Sequence, residues 1–140
     1  MKKYYLLHKP YGMLSQFTRE GGHPSLADVD FKFESDVYSV GRLDTDSEGL
    51  LLLTNDKRLN SELLSPENGP PRTYHAQVEG SPDFSDLRAL QNPLMINIKG
   101  KEFKTRPCKA SVLEPQPTYF DRIPPIRVRK SIPDTWISIT

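Results

Sequence analysis

Cysteine is almost absent from this 140-residue sequence, and other residues on which whole functional classes depend are scarce. The single cysteine, Cys108, excludes an internal disulfide and is typical of a reducing compartment. The three histidines, His8, His23 and His75, lack the short spacing of a zinc site, and one cysteine cannot build a thiolate site. The sequence therefore predicts neither a disulfide scaffold nor a metal centre.

Long apolar runs are also missing. The leucine run at Leu50–Leu53 stops far short of the roughly 18 residues that would cross a bilayer. Met1–Leu7 begins like a signal peptide, but no apolar region of about 7–15 residues follows it. Gly21 and Gly22 lack the lysine and the following helix of a phosphate-binding loop. We therefore expect a cytoplasmic protein with no membrane partner.

Charge is nearly balanced overall but unevenly distributed. Residues 99–130 contain nine Lys or Arg and three acidic residues, a net charge of +6, whereas residues 1–98 have a net charge of −4. A basic segment in an otherwise acidic chain favours a polyanionic partner. A solvated basic surface explains the charge pattern equally well.

Short strands separated by turns dominate the pattern, and a chain of this length fits one domain. Strands are predicted at residues 3–8, 13–17, 37–40, 50–53, 73–80, 94–98, 110–113 and 136–139. Ser25 is expected to cap a helical turn. Asp56 is expected to cap a helix at 57–65 whose inward side chains are Leu59, Leu63 and Leu64. Ser81-Pro82 is expected to cap a second helix whose inward side chains are Phe84, Leu87 and Leu90. Two helices among short strands predict an α+β domain on a largely antiparallel sheet.

The segment from Gly41 to Asp56 organises the chain. Its four leucines, bounded by turn residues, predict a strand buried on both faces, which would hold the preceding polar loop at the edge of a rigid core. The carboxylates at 44, 46 and 48 resemble the opening of a calcium loop, but Asn55 stands where a bidentate Glu is required. One aspartate remains as the candidate reactive group. Taken alone, such a residue is most often an ordinary turn residue.

Several motifs, in order, resemble the ribosomal pseudouridine synthases, in the branch that contains the small-subunit RNA enzyme RsuA. They are Gly41-Arg42-Leu43-Asp44 with Ser47–Asn55, His8–Gly12, Arg72-Thr73-Tyr74 with Val78–Gly80, and Pro124–Pro133 with Trp136. The resemblance covers nearly all of the chain. It implies the pseudouridine synthase catalytic fold, a largely antiparallel mixed sheet flanked by short helices and loops.

The resemblance also implies an activity, the isomerisation of one uridine in large-subunit (23S) ribosomal RNA to pseudouridine, with no cofactor or metal. Asp44 matches the family's catalytic aspartate, acting either as nucleophile at C1′ or as the base that takes a ribose 2′ proton. Tyr74 would stack on the uracil once the nucleotide is extruded from its helix.

Basic side chains at matching positions would bind the RNA. Arg42 would hold a phosphate or fill the space that the base vacates. Phosphate contacts or other substrate contacts are expected from Lys9, Arg72, Arg127, Arg129 and Lys130.

The sequence lacks two segments that members of the family often or usually have. Residues 1–140 are expected to form one catalytic domain without the S4-type RNA-binding module that often precedes it. The chain stops before the Gly-, Arg- and Gln-rich motif that supplies a basic partner for the aspartate, so a missing C-terminal segment is expected, and this chain alone would lack part of the catalytic machinery. The alternative is a non-catalytic RNA-binding module or an inactive fragment of such an enzyme.

Overall fold

The four-leucine segment forms the central strand of a three-stranded antiparallel sheet. The computed structural model describes all residues from Met1 to Thr140, and this sheet contains strands β1 (Tyr4–Lys9), β2 (Tyr38–Ser39) and β3 (Gly49–Thr54), in the order β1-β3-β2. Along the first pair, Leu6 lies opposite Leu52. Since β3 is hydrogen-bonded on both sides, the loop that precedes it is attached to the most constrained strand of the sheet.

Burial along β3 alternates, so the prediction of a strand buried on both faces is wrong. Leu51 and Leu53 are buried, whereas Leu50 is 72% exposed. Side chains at alternate positions of a strand point to opposite faces, and only one face of this strand meets the core. Leu6 on β1, which is 71% exposed, lies on the outer face with Leu50.

The core of this unit lies against the inner face of the sheet. Its buried side chains come from the strands and from the irregular segments between them, and they are Met13, Leu26, Val37, Leu51 and Leu53. Tyr5, Phe17, Phe31 and Phe33 add edge-to-face ring contacts, with centroids 4.8–5.6 Å apart. Such pairs stabilise by about 0.5–1.5 kcal/mol each beyond their buried area.

The segment Met13–Phe17, predicted as a strand, is irregular. Leu14 N–H donates to the Pro24 carbonyl at 2.8 Å, and Leu26 N–H donates to the Gln16 carbonyl at 2.9 Å. These partners belong to one loop rather than to a continuous ladder, so the backbone groups are satisfied without a strand.

Both predicted caps in the first half of the chain are present. Ser25 caps a single 3-10 turn at Leu26–Asp28, and Asp56 caps helix α1 (Lys57–Leu64) by accepting hydrogen bonds from Arg58 and Leu59 N–H. Leu59 and Leu63 are half-buried, as expected of the inward face. Leu64, also predicted to face inward, is 38% exposed.

The second half contains a second three-stranded sheet, a helix and a separate hairpin. The elements are β4 (Tyr74–Glu79), α2 (Phe84–Gln91), β5 (Met95–Ile98), β6 (Lys101–Lys104), β7 (Ala110–Val112) and β8 (Asp134–Ile139). Strand β8 lies between β4 and β7, and β5 pairs only with β6. Residues 113–133 contain no helix or strand, as their proline content predicts.

The start of α2 differs from the prediction. Asp83, not Ser81-Pro82, is the N-cap, and the Asp86 carboxylate accepts a hydrogen bond from the Asp83 N–H, so the two form a capping box. Phe84 follows this cap and is 78% exposed, which corrects its predicted inward position. Leu87 and Leu90 are half-buried.

The chain divides into two compact units, Met1–Pro70 and Pro71–Thr140. The α+β class is confirmed, since two α-helices accompany three sheets whose strand pairings are all antiparallel. Each α-helix has eight residues, and none of the helices reaches the length and apolarity that a membrane crossing demands.

Candidate active site

The loop from Gly41 to Glu48 joins β2 to β3 and carries Asp44. Val40, immediately before the loop, donates its N–H to the Leu52 carbonyl at 2.7 Å. This hydrogen bond keeps the start of the loop beside the central strand. Gly41 has φ +73°, and a Cβ there would meet the Leu64 side chain at 3.0 Å. Glycine suits position 41 because the positive φ is strained for other residues and because a Cβ would crowd the Leu64 side chain.

Asp44 combines an exposed side chain with a constrained backbone. Its carbonyl accepts a hydrogen bond from Ser47 N–H at 3.0 Å, which closes a tight turn. The preceding residue, Leu43, is bound through both its N–H and its carbonyl by the Ser15 hydroxyl, at 3.1 and 2.8 Å. The following carbonyl, of Thr45, accepts from Gly12 N–H at 2.7 Å. The carboxylate is therefore open to a ligand while the chain on either side is fixed.

Lys9 lies beneath this loop and not on the surface. It is 0% exposed, and its ammonium donates to the carbonyls of Met13 at 2.8 Å, Pro10 at 3.0 Å and Thr45 at 3.4 Å. An ammonium has three donors, so all of them are used. This placement does not agree with the phosphate contact expected from the sequence, because no donor of Lys9 reaches solvent.

The acidic loop balances this buried cation. Burial lowers the pKa of the Lys9 ammonium below its ordinary value, and the negative charges of Glu48, Asp46 and Asp44 oppose that shift. The loop carboxylates therefore have an electrostatic partner within the fold. No group of three or more His, Cys, Asp or Glu side chains in the chain is arranged to hold a metal ion.

Arg42 lies on the same loop and is exposed. Its guanidinium donates to the Gln16 side-chain oxygen at 3.3 Å, next to the Ser15–Leu43 contact. This single solvent-exposed hydrogen bond, to a half-buried glutamine, holds the guanidinium loosely, which leaves it able to contact a ligand anion.

The other predicted site residues belong to the second unit. Tyr74 begins β4 opposite Ile139, and its side chain is 48% exposed, so one part of the ring is open to a stacking partner. Arg72 is exposed just before it. A cavity of about 290 Å³ in this unit is lined by Gln91, Lys109, Ala110, Ser111, Ser138 and Thr140. None of the site residues predicted from the sequence lines this cavity.

The arm at 124–133 presents its cations to solvent. Arg127 and Lys130 are exposed. Arg129 is paired with Glu79 at 3.1 Å, an ion pair in which both side chains are about half exposed. An exposed pair of this kind stabilises the fold by only about 0–1 kcal/mol, so little free energy is needed to separate Arg129 from Glu79.

The structure thus brings Lys9, Arg42 and Asp44 together in the first unit, and it places Arg72, Tyr74, Arg127, Arg129 and Lys130 in the second. Sequence reasoning missed Ser15, which is 3% exposed and lies in the segment predicted as a strand. A polar residue between the apolar residues Met13 and Phe17 was the only available signal, and it does not identify a partner 28 residues away.

The motifs and the fold together identify the class. A family model described as RNA pseudouridylate synthase matches residues 3–132. A crystal structure titled as a pseudouridylate synthase superposes with a TM-score of 0.70 at 22% identity, over 99% of this chain and 50% of the other, which supports the fold. The chain belongs to the RNA pseudouridylate synthase family.

Within the family, the chain is similar to several named pseudouridine synthases. The chain is 46% identical over 134 residues to ribosomal large subunit pseudouridine synthase E of Xanthomonas campestris pv. campestris, covering 96% of this chain and 70% of the relative. It is 43% identical over 139 residues to the enzyme of the same name from Vibrio parahaemolyticus, covering 99% and 56%. Synthase B of Bacillus subtilis is 38% identical over 110 residues, covering 79% and 43%. The resemblance to the ribosomal pseudouridine synthases seen in the motifs is confirmed.

Proposed function

We propose that this chain carries the catalytic site of an enzyme that converts one uridine of large-subunit ribosomal RNA to pseudouridine. The supporting observation is the 46% identity to a synthase named for the large ribosomal subunit, over 96% of the chain. A cytoplasmic location belongs to the same proposal, because ribosomal RNA is the substrate.

The reaction is an isomerisation, so no atom is gained or lost. The bond from C1′ to N1 breaks, the uracil turns, and a bond from C1′ to C5 forms. The proton on C5 leaves, and N1 carries a proton in the product. The protein must therefore stabilise an electron-poor sugar carbon and keep the detached base in place.

Asp44 is the group assigned to the sugar. A carboxylate can attack C1′ as a nucleophile or accept a proton from the ribose 2′ position, and both routes remain open. Exposure of the side chain allows a bulky nucleotide to approach. The fixed neighbours Leu43 and Thr45 limit how far the carboxylate can move, which favours a defined attack geometry.

Tyr74 and the exposed arginines are assigned to binding. The nucleotide must be extruded before C1′ can be reached, which costs a few kcal/mol, and stacking on an aromatic ring recovers about 1–3 kcal/mol. Arg42, Arg72, Arg127, Arg129 and Lys130 would contact phosphates. Lys9 has a different part in this proposal: it supports the Asp44 loop from below.

Mapping of pseudouridine tests this proposal. A version of the chain that includes the expected C-terminal segment is incubated separately with large-subunit and small-subunit ribosomal RNA, both free of modification, and each new pseudouridine is located. We expect one modified position in the large-subunit RNA and none in the small-subunit RNA. RNA that is bound but never isomerised would instead favour a non-catalytic RNA-binding module, and modification of small-subunit RNA would contradict the assigned substrate.

A further inference from the structure

The hairpin formed by β5 and β6 is exposed on both of its faces. All eight strand residues are exposed, and the two strands pair only with each other. Its base is closed by Thr105, whose N–H donates to the Leu94 carbonyl and whose hydroxyl accepts from Leu94 N–H, each at 2.8 Å. A two-stranded hairpin without a cover is marginally stable in water, so the stability of this one depends on the turn and on the contacts at its base.

One face of this hairpin combines apolar side chains with a cation. Ile96 lies opposite Phe103, and Ile98 lies opposite Lys101. Directly opposed residues and residues two apart share a face, so these four form one surface. Ile96, Ile98 and Phe103 are 41%, 49% and 47% exposed. We call these four residues the hairpin face.

The turn at the tip holds a lysine in a conformation that favours glycine or asparagine. Lys99 has φ +52° and Gly100 has φ +81°, the pair of positive angles that a two-residue type I′ turn requires. The Asn97 side chain supports the turn by accepting from Gly100 N–H at 2.9 Å. Lysine is disfavoured at positive φ, so the charged residue at the tip is present at a local cost in backbone conformational energy.

The hairpin is also strongly cationic. Lys99, Lys101 and Lys104 are exposed, and none of the three takes part in an ion pair. Glu102 is the only acidic residue between 95 and 109. Unpaired ammonium groups beside an exposed ring match a polyanion that also has flat apolar faces.

We propose that the hairpin face and the tip lysine bind a single-stranded segment of the substrate RNA, in addition to the nucleotide at the catalytic site. A base stacks on Phe103 beside Ile96, and Lys99 and Lys101, which both lie nearer the tip, contact phosphates of the adjoining nucleotides. This proposal rests on the proposed function for the identity of the RNA. Single-stranded RNA is favoured over duplex because only unpaired bases offer their faces to a ring.

A salt titration of RNA affinity tests the cationic part. The double variant Lys99→Asn with Lys101→Gln removes both charges, and asparagine tolerates the positive φ, so the turn is preserved. Its matched control is Lys57→Gln, which removes an exposed lysine of α1 in the first unit. With a short unstructured oligoribonucleotide, the slope of log affinity against log salt should fall in magnitude by about 1.4 in the double variant, at about 0.7 per lost phosphate contact, and should not change in the control.

A second pair of variants tests the stacking part. Phe103→Leu keeps an apolar side chain but removes the ring, and Phe84→Leu makes the same change at an exposed phenylalanine of α2. We expect Phe103→Leu to weaken binding to the single strand by about fivefold or more, with a smaller effect on a duplex of the same sequence. Phe84→Leu should bind both forms as the unaltered chain does.

The outcomes separate this proposal from the catalytic one. If the unaltered chain binds RNA and the hairpin variants bind with the same affinity and salt slope, the hairpin proposal is overturned, whatever the isomerase assay shows. If the hairpin variants lose affinity while no isomerisation occurs, the hairpin proposal stands and the proposed catalytic function fails. An equal loss for Phe103→Leu on single strand and duplex would overturn the stacking contact.

Discussion

The Ser15 hydroxyl binds both backbone polar groups of Leu43, the residue immediately before Asp44. It accepts from Leu43 N–H at 3.1 Å and donates to the Leu43 carbonyl at 2.8 Å. Ser39 in turn donates its hydroxyl to the Ser15 carbonyl at 2.9 Å. A side chain here replaces the backbone partner that a neighbouring strand would supply, and it fixes the chain that presents the carboxylate.

Ser15→Ala should therefore lower turnover more than it lowers RNA affinity. Each variant that leaves buried backbone groups unpaired loses about 1–3 kcal/mol of stability. The matched control is Ser25→Ala, which removes the other buried serine hydroxyl of this unit, a cap whose hydrogen bonds are to Phe17, Ala27 and Asp28. We expect kcat to fall about tenfold or more in Ser15→Ala only, with the Kd for RNA unchanged.

Ser15→Thr, which keeps the hydroxyl, should recover part of the lost turnover. Equal kcat values for Ser15→Ala and Ser25→Ala at equal stability would show that the Leu43 contact has no special part in positioning Asp44.

Lys9→Met tests whether Lys9 supports the fold or binds RNA. The substitution removes the ammonium donor from the Met13 and Pro10 carbonyls, whereas the Thr45 carbonyl keeps its hydrogen bond from Gly12 N–H. The loss is partly offset because a costly buried charge is also removed. We expect a net loss of about 1–3 kcal/mol in the free energy of unfolding. The salt dependence of RNA affinity should not change. Lys57→Met, at an exposed lysine, is the stability control. A decrease of about one in the magnitude of the salt slope for Lys9→Met would contradict this account and support the phosphate contact that the sequence predicted for Lys9.

The pH dependence of stability should report Asp56. The hydrogen bond from the Lys2 ammonium, at 2.8 Å, is the largest of the effects that lower the pKa of this carboxyl, to about 2, and Tyr4 donates to the same oxygen at 2.9 Å. The folded-state pKa is depressed, so its contribution to stability is complete above the unfolded value near 3.8 and is lost as the pH falls through about 2.

Asp56→Asn should consequently lower the melting temperature at pH 7 and reduce the loss of stability between pH 4 and pH 2. Asp30→Asn, an exposed aspartate with no side-chain partner, is the control and should melt like the unaltered chain. A melting temperature that falls equally in both variants, or an acid transition that Asp56→Asn does not alter, would argue against the assigned contacts.

Features set by neighbouring residues were predictable from the sequence, and features set by distant ones were not. Asp56 stands alone before an apolar periodic segment, so its cap was clear. At α2 the predicted cap, Ser81-Pro82, was wrong, because Asp83 forms a reciprocal capping box with Asp86, three residues on. Leu50 was misjudged because a run of leucines does not reveal which face of the sheet is covered.

The same distinction applies to the site. The exposed turn that carries Asp44 follows from its own polar sequence. The burial of Lys9 depends on the Thr45 carbonyl, 36 residues away, and the Ser15 contact depends on Leu43, 28 residues away. A motif locates such residues but does not say which of them faces a ligand and which supports the loop.

Replacement of Tyr74 distinguishes stacking from a role of the hydroxyl. Tyr74→Phe keeps the ring, so activity should remain within about threefold, whereas Tyr74→Leu should lose about 5- to 150-fold, the equivalent of about 1–3 kcal/mol. The side chain is half exposed, so neither variant should alter the melting temperature much. Equal losses of activity in the two variants would mean that the hydroxyl, not the ring, is required.

The most direct measurement is pseudouridine formation by Asp44→Asn beside Asp46→Asn, each in the version that includes the expected C-terminal segment, under single-turnover conditions with RNA in excess of its Kd. Both changes remove one exposed carboxylate from the same loop, and both weaken the attraction to Lys9. We predict no detectable pseudouridine from Asp44→Asn, with RNA affinity retained, and near-normal conversion by Asp46→Asn. Conversion by Asp44→Asn at the rate of the unaltered chain would contradict the assignment of Asp44 as the reacting carboxylate.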